Sequence, residues 1–193
     1  MMHTAELLKL FRPYRQDAIV VPGRGGRHWV HLTDRPSLDV PLGDPAMGGH
    51  AGFALGLALA RPEKKVILFD SEGDLLMSLG ILATIAEQAP TNLYHFLLDN
   101  ECYATTGGQP VPNATNTAYD AMARAAGYPH AAAFTELADV EHHLPGLLAL
   151  PGPVFVAFKV LPEVENAPIG RRTRWQTRTR DQVLADLRAE LDA

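Results

Sequence analysis

The chain has 193 residues, 47% hydrophobic and 20% charged, with 17 Lys plus Arg against 22 Asp plus Glu for a net charge of −5. That apolar content excludes wholesale disorder, and the acidic balance argues against a nucleic-acid partner. A single cysteine, Cys102, excludes an internal disulfide or a cysteine-rich zinc site; no apolar run spans a bilayer and the N-terminus lacks a secretory pattern, so a cytoplasmic protein is expected.

In chain order, Thr4 to Arg12 reads as a short amphipathic helix with Thr4 as its cap. Ala18 to Val21 is a β-branched run that stops at Pro22-Gly23. Met47 to Ala60 is small and apolar, with Gly52 and Gly56 four apart on one helical face. Val66 to Phe69, inside KKVILFD, reads as a buried parallel strand, and Gly73 to Ala89 as one helix. Leu93 to Leu98 is a second buried strand. Tyr119 to Ala126 is a helix ended by Gly127, and Thr135 to Leu148 a helix opened by Thr135. A strand at Pro153 to Val160 and a terminal helix at Arg178 to Leu191 complete the set. Strand, helix, strand at this spacing predicts an α/β fold, a single doubly wound parallel sheet with helices on both faces. One domain over 1–193 is expected, with 162–193 an Arg-rich segment and helix.

Ligands of such sheets sit beyond the carboxyl ends of the strands. Three loops lie there: Pro22 to His28, Asp70 to Asp74, and Asp99 to Gln109. In the second, Ser71-Glu72-Gly73-Asp74 follows a strand and opens a helix, a place for an anion, a divalent cation or a plain acidic cap. In the third, Asp99-Asn100-Glu101 offers hard oxygen donors suited to magnesium, or simply a turn. Asn100 follows Glu72 by 28 positions, one helix and one strand, which brings both to the same sheet edge.

On these residues the sequence resembles the diphosphate-binding domain of thiamine-diphosphate enzymes, whose motif is Gly-Asp-Gly, a spacer of about this length, then Asn-Asn. The text PAMGGHAGFALGLALARPEKKVILFDSEGDLLMSLGILATIAEQAPTNLYHFLLDNECYATTGGQP, with YDAMARAAGY behind it, is most similar to the sulfopyruvate and phosphonopyruvate decarboxylases, over about Pro41 to Val160. The resemblance implies thiamine diphosphate and Mg2+ as cofactors. Glu72, Asn100 and the carbonyl of Cys102 would hold the metal. Gly73 and Asp74 would face the diphosphate, with Tyr103 and Thr105 nearby. Met47 would support the thiazolium, and Pro45 to Gly48 would meet the aminopyrimidine. His50, just behind Met47, is either a catalytic candidate or a structural histidine.

It further implies a 2-oxo acid decarboxylase subunit that binds a small 2-oxo acid, is oligomeric and lacks its own pyrimidine-binding domain. In the family that domain supplies the glutamate beside the aminopyrimidine, so a separate partner subunit is expected. Three departures stand out. Glu72 replaces aspartate and is longer by about 1.5 Å. Asp74 replaces a small residue, and two unit charges about 4 Å apart repel by about 4 kcal/mol at an effective dielectric near 20. Asp74 must therefore turn away, be paired, or occupy the anion's place, which would make a non-catalytic subunit. The first loop, Gly23-Arg24-Gly25-Gly26-Arg27-His28, carries arginines instead of hydroxyls; they could offset Asp74, grip an acid such as a nucleotide or substrate, or be solvated. Its glycines do not fit a dinucleotide fingerprint. Arg171, Arg172, Arg174, Arg178 and Arg180 read as salt-bridging or subunit-contact residues.

Overall fold

The chain was described from a computed structural model covering residues 1–42, 46–168, 171 and 174–192; Pro45 and Arg172 lie outside the described residues. In chain order the elements are α1 (Thr4–Phe11), β1 (Ile19–Pro22), α2 (His50–Ala60), β2 (Val66–Ser71), α3 (Glu72–Met77), α4 (Ile81–Gln88), β3 (Leu93–Asp99), a short hairpin of β4 (Cys102–Tyr103) and β5 (Gln109–Pro110), α5 (Tyr119–Ala126), β6 (His130–Phe134), α6 (Leu137–Ala149), β7 (Val154–Lys159) and α7 (Arg180–Leu191). Five strands form one parallel sheet in the order β1-β2-β3-β7-β6. Parallel strands covered on both faces read as continuous apolar runs, which is why Val66–Phe69 and Leu93–Leu98 announce themselves.

Alternating side chains supply two cores. Val66, Leu68, Leu93, Leu97 and Phe155 face α2, α4, α5 and α7. Ile67, Phe69, Phe96, Val156 and Phe158 face α1, α6 and Trp29. On this second face Phe11 meets Phe69, Phe96 and Phe158 edge-on at centroid distances of 5.0, 4.8 and 6.0 Å, pairs worth about 0.5–1.5 kcal/mol each beyond area burial. Among the described residues no helix is long and apolar enough to cross a membrane.

The helix expected over Gly73–Ala89 is two helices. Ser78 leaves the helical region at φ −142° and ψ 40°, and α4 restarts after Gly80. Ser and Gly are weak helix formers, and the break accommodates a neighbour: a Cβ on Gly48 would lie 3.1 Å from Ser78 Cβ and 3.2 Å from Met77 Cβ. Thr4 is not a cap; it is buried inside α1, and His3 holds the cap position without a side-chain bond. Nor does Thr135 open α6, which starts at Leu137 after Glu136. The terminal helix begins two residues later than expected, where Thr179 and Gln182 form a reciprocal capping box. Edge strand β6 carries three alanines and gives almost no sequence signal.

The register of β2 on β3 pairs Asp70 with Leu97 and Ser71 with Leu98. The residues that follow each strand therefore leave the sheet side by side.

Candidate functional site

A cleft of about 730 Å³ opens at the carboxyl ends of the strands. Met47, His50, Gly73 and Asp74 line one part of it, and Asn100, Cys102, Tyr103 and Thr105 another. Gly48 lies beside it in the Met47 turn, and Glu72 sits behind the wall, fully buried. The sequence-predicted residues that can be placed are thus gathered around one cleft.

Glu72 and Asn100 converge on a single group. The Cys102 amide donates to Glu72 Oε1 at 3.1 Å and to Asn100 Oδ1 at 3.0 Å. The other carboxylate oxygen, Glu72 Oε2, is buried and has no hydrogen-bond partner among the described residues. Burial pushes the Glu72 carboxyl up to about 8, the nearby Asp99 charge adds to this, and the amides around it only partly offset it. A buried carboxylate oxygen without a partner, next to an amide oxygen, fits a hard divalent cation; without one, the carboxyl holds its proton.

Asp74, two positions on, projects elsewhere, since helix positions i and i+2 are about 200° apart. Its Oδ1 accepts the Gly48 N–H at 2.7 Å and its Oδ2 lies 2.8 Å from His50 Nδ1. Burial alone would raise the Asp74 carboxyl, but the bond to His50, its charge and the amides hold it below the usual range. Burial likewise disfavours the His50 cation, yet the bond to Asp74 and the charges of Asp70 and Asp74 raise its pKa. The partner of Asp74 is therefore His50, not an arginine of the first loop. Asp74 accordingly belongs to the paired outcome. Met47 and Gly48 form a left-handed turn, φ +50° and +86°, and Met47 remains 63% exposed to the cleft.

The first loop lies flush on β2. A Cβ on Gly23 would come within 2.7 Å of Phe69 O, and one on Gly26 within 2.8 Å of Phe69 Cβ. These glycines answer to packing. Arg24 is ion-paired with Glu165 and Arg27 with Glu163, which also lies 2.8 Å from His28 Nε2. Both glutamates belong to the segment after β7, which is stitched onto the turn that follows β4 by the Glu165 amide bond to Ala104 O at 2.8 Å. In the basic tail, Arg178 binds Asp186 at 2.9 Å and the Asp39 carbonyl at 2.9 Å.

Sequence reading missed two arrangements. Asp70 and His95, both fully buried, lie 3.0 Å apart under the site; His95 interrupts the apolar run of β3 and Asp70 closes that of β2, and a polar residue in a buried strand is the signal that could have found them. The Glu163 and Glu165 partners of the arginines carry no local pattern and were not legible.

Residues 26–158 match the family described as thiamine pyrophosphate enzyme, C-terminal TPP binding domain. The chain is 34% identical over 171 residues to sulfopyruvate decarboxylase subunit beta of Methanothermobacter thermautotrophicus, covering 88% of each. It is 37% identical over 183 residues to phosphonopyruvate decarboxylase of Streptomyces viridochromogenes, covering 88% of this chain but 45% of that protein, so it spans about half the length of that relative. Benzoylformate decarboxylase from Polynucleobacter necessarius has the same fold at a TM-score of 0.67 and 16% identity, over 84% of this chain and 33% of that one. With a parallel sheet, a cleft at its carboxyl edge and a matched family over most of its length, the chain belongs to the thiamine pyrophosphate enzymes, as their C-terminal, cofactor-binding domain.

Proposed function

We propose that the chain is the thiamine-diphosphate- and Mg2+-binding subunit of a 2-oxo acid decarboxylase of the sulfopyruvate or phosphonopyruvate type, completed by a second chain that carries a pyrimidine-binding domain. The observation that carries this reading is the buried, partnerless Glu72 Oε2 beside Asn100. Glu72, Asn100 and the Cys102 carbonyl hold the metal; Gly73, Tyr103 and Thr105 serve the diphosphate end, and Pro45, Met47 and Gly48 the ring end. The bound cofactor supplies the electron sink that lets a 2-oxo acid lose carbon dioxide. The protein's part is to bind, orient and shield: Met47 offers an apolar support, and Glu72, once ionised against the cation, fixes the anionic end.

The partner is supported by two observations. The Methanothermobacter relative is named as a beta subunit. Helix α2 is apolar all round, yet Gly52, Gly56, Leu59 and Ala60 are exposed, with Met77 exposed nearby; a helix without a polar face belongs in an interface. The occupant of that face is the pyrimidine-binding subunit.

The test is calorimetric titration of thiamine diphosphate with Mg2+ into the chain together with its partner subunit. Saturable binding that disappears in Glu72→Ala is expected. No binding at millimolar cofactor would leave the non-catalytic subunit as the reading.

A further inference from the structure

The carboxylate of Asp74 joins three segments at the cleft. It is carried by the first turn of α3, accepts the Gly48 amide at 2.7 Å and meets His50 at the start of α2 at 2.8 Å. The segment it grips is strained: Met47 adopts φ +50°, a left-handed conformation disfavoured for a residue with a side chain. The turn is also pressed against Met77 and Ser78, and at φ +86° a side chain at position 48 would be strained as well as crowded. Such a conformation persists when its surroundings over-determine it. Asp74 is well placed to do that, because a partly buried carboxylate is a stronger acceptor than a neutral group.

From this geometry we infer that Asp74 is a positioning residue: it clamps the Met47–Gly48 turn, with His50 as its second partner, and thereby sets where the Met47 side chain stands in the cofactor cleft. The inference rests on the proposed cofactor reading for its last step only. The clamp itself is a property of the chain without cofactor.

The experiment has two arms. In the full-length chain without cofactor, amide hydrogen exchange is followed by NMR for Gly48, with the amides of Val66 to Phe69 reporting that the sheet is intact. In Asp74→Ala, Gly48 exchange accelerates by roughly 10-fold or more while the β2 amides keep their protection. In Asp74→Asn, which retains a carbonyl oxygen facing the amide, much of the protection returns. A Gly48 rate within about threefold of wild type in Asp74→Ala, with β2 protected, overturns the clamp.

In the second arm, thiamine diphosphate affinity is measured in the assembled enzyme for Asp74→Ala, Met47→Ala and the double variant. Asp74→Ala weakens binding about 10-fold, and the two changes are strongly non-additive, because one acts through the other. Additive losses overturn the link to Met47. If wild type binds no cofactor, the functional reading falls and that link with it, while the exchange arm still decides the clamp.

Discussion

Glu72 and Asp74 lie two positions apart in one short helix, and both are withdrawn from solvent, but their surroundings treat them in opposite ways. Glu72 has a buried oxygen with no partner among the described residues and a pKa pushed up to about 8 by burial. Asp74 has His50 and the Gly48 amide, which hold its carboxyl low despite burial. Depth alone does not define the role of a carboxylate. What decides is whether the chain supplies its counter-charge: where it does, the group is committed to structure; where it does not, the group holds its proton and is open to the cation proposed above.

That contrast can be broken most severely at Glu72. Replacing it with Gln keeps the size and removes the charge, and Mg2+-dependent thiamine diphosphate affinity of the assembled enzyme is expected to fall by roughly 100-fold or more in a calorimetric titration. A loss below tenfold would contradict the assignment of Glu72 as a metal ligand.

A second consequence concerns protons. With its pKa near 8, Glu72 holds its proton at pH 7 in the chain without metal. Cofactor loading should therefore release close to one proton, read from binding enthalpies in two buffers of different ionisation heat, and Glu72→Gln should release none.

Stability without cofactor provides a third, smaller effect. The unfolded chain gives up the Glu72 proton near 4.5, the folded one near 8. The folded state thus binds more protons across that window, so the Glu72 contribution is complete below about 4.5 and is lost as pH rises toward 8. Melting temperature should fall between pH 5 and pH 8, and the fall should flatten in Glu72→Gln. The smallest effect sharpens the comparison from outside it: Arg24→Ala, which breaks a partly exposed pair with Glu165, should change unfolding free energy by about 1 kcal/mol or less in denaturant titration.

The frame of the fold was legible because the strands that build it are buried on both faces, so β2 and β3 stand out as unbroken apolar runs. The Glu72–Asn100 convergence was legible for the same reason, since one helix and one strand between them leave little choice of position. Asp74 could be recognised as a conflict, with pairing among its possible resolutions, but His50 as its partner could not: the two meet through a turn at Met47 and Gly48 that no local periodicity encodes. The break at Ser78–Gly80 was hidden by the apolar pattern on either side, which continues in phase through Leu76, Leu79 and Leu82. Edge strand β6 escaped because alanines at a sheet margin look like anything.

Neither Glu72 nor Asn100 depends on the other for its place. Each hangs from the tip of a strand locked to its neighbour by the ladder from Val66↔Leu93 to Ser71↔Leu98. The loop after β1 is fixed separately, by glycines packed on Phe69 and by the Arg24–Glu165 and Arg27–Glu163 pairs, so a change in those pairs leaves the two oxygen donors aligned. The cleft can therefore vary at its rim, and hardly at all in the rungs beneath.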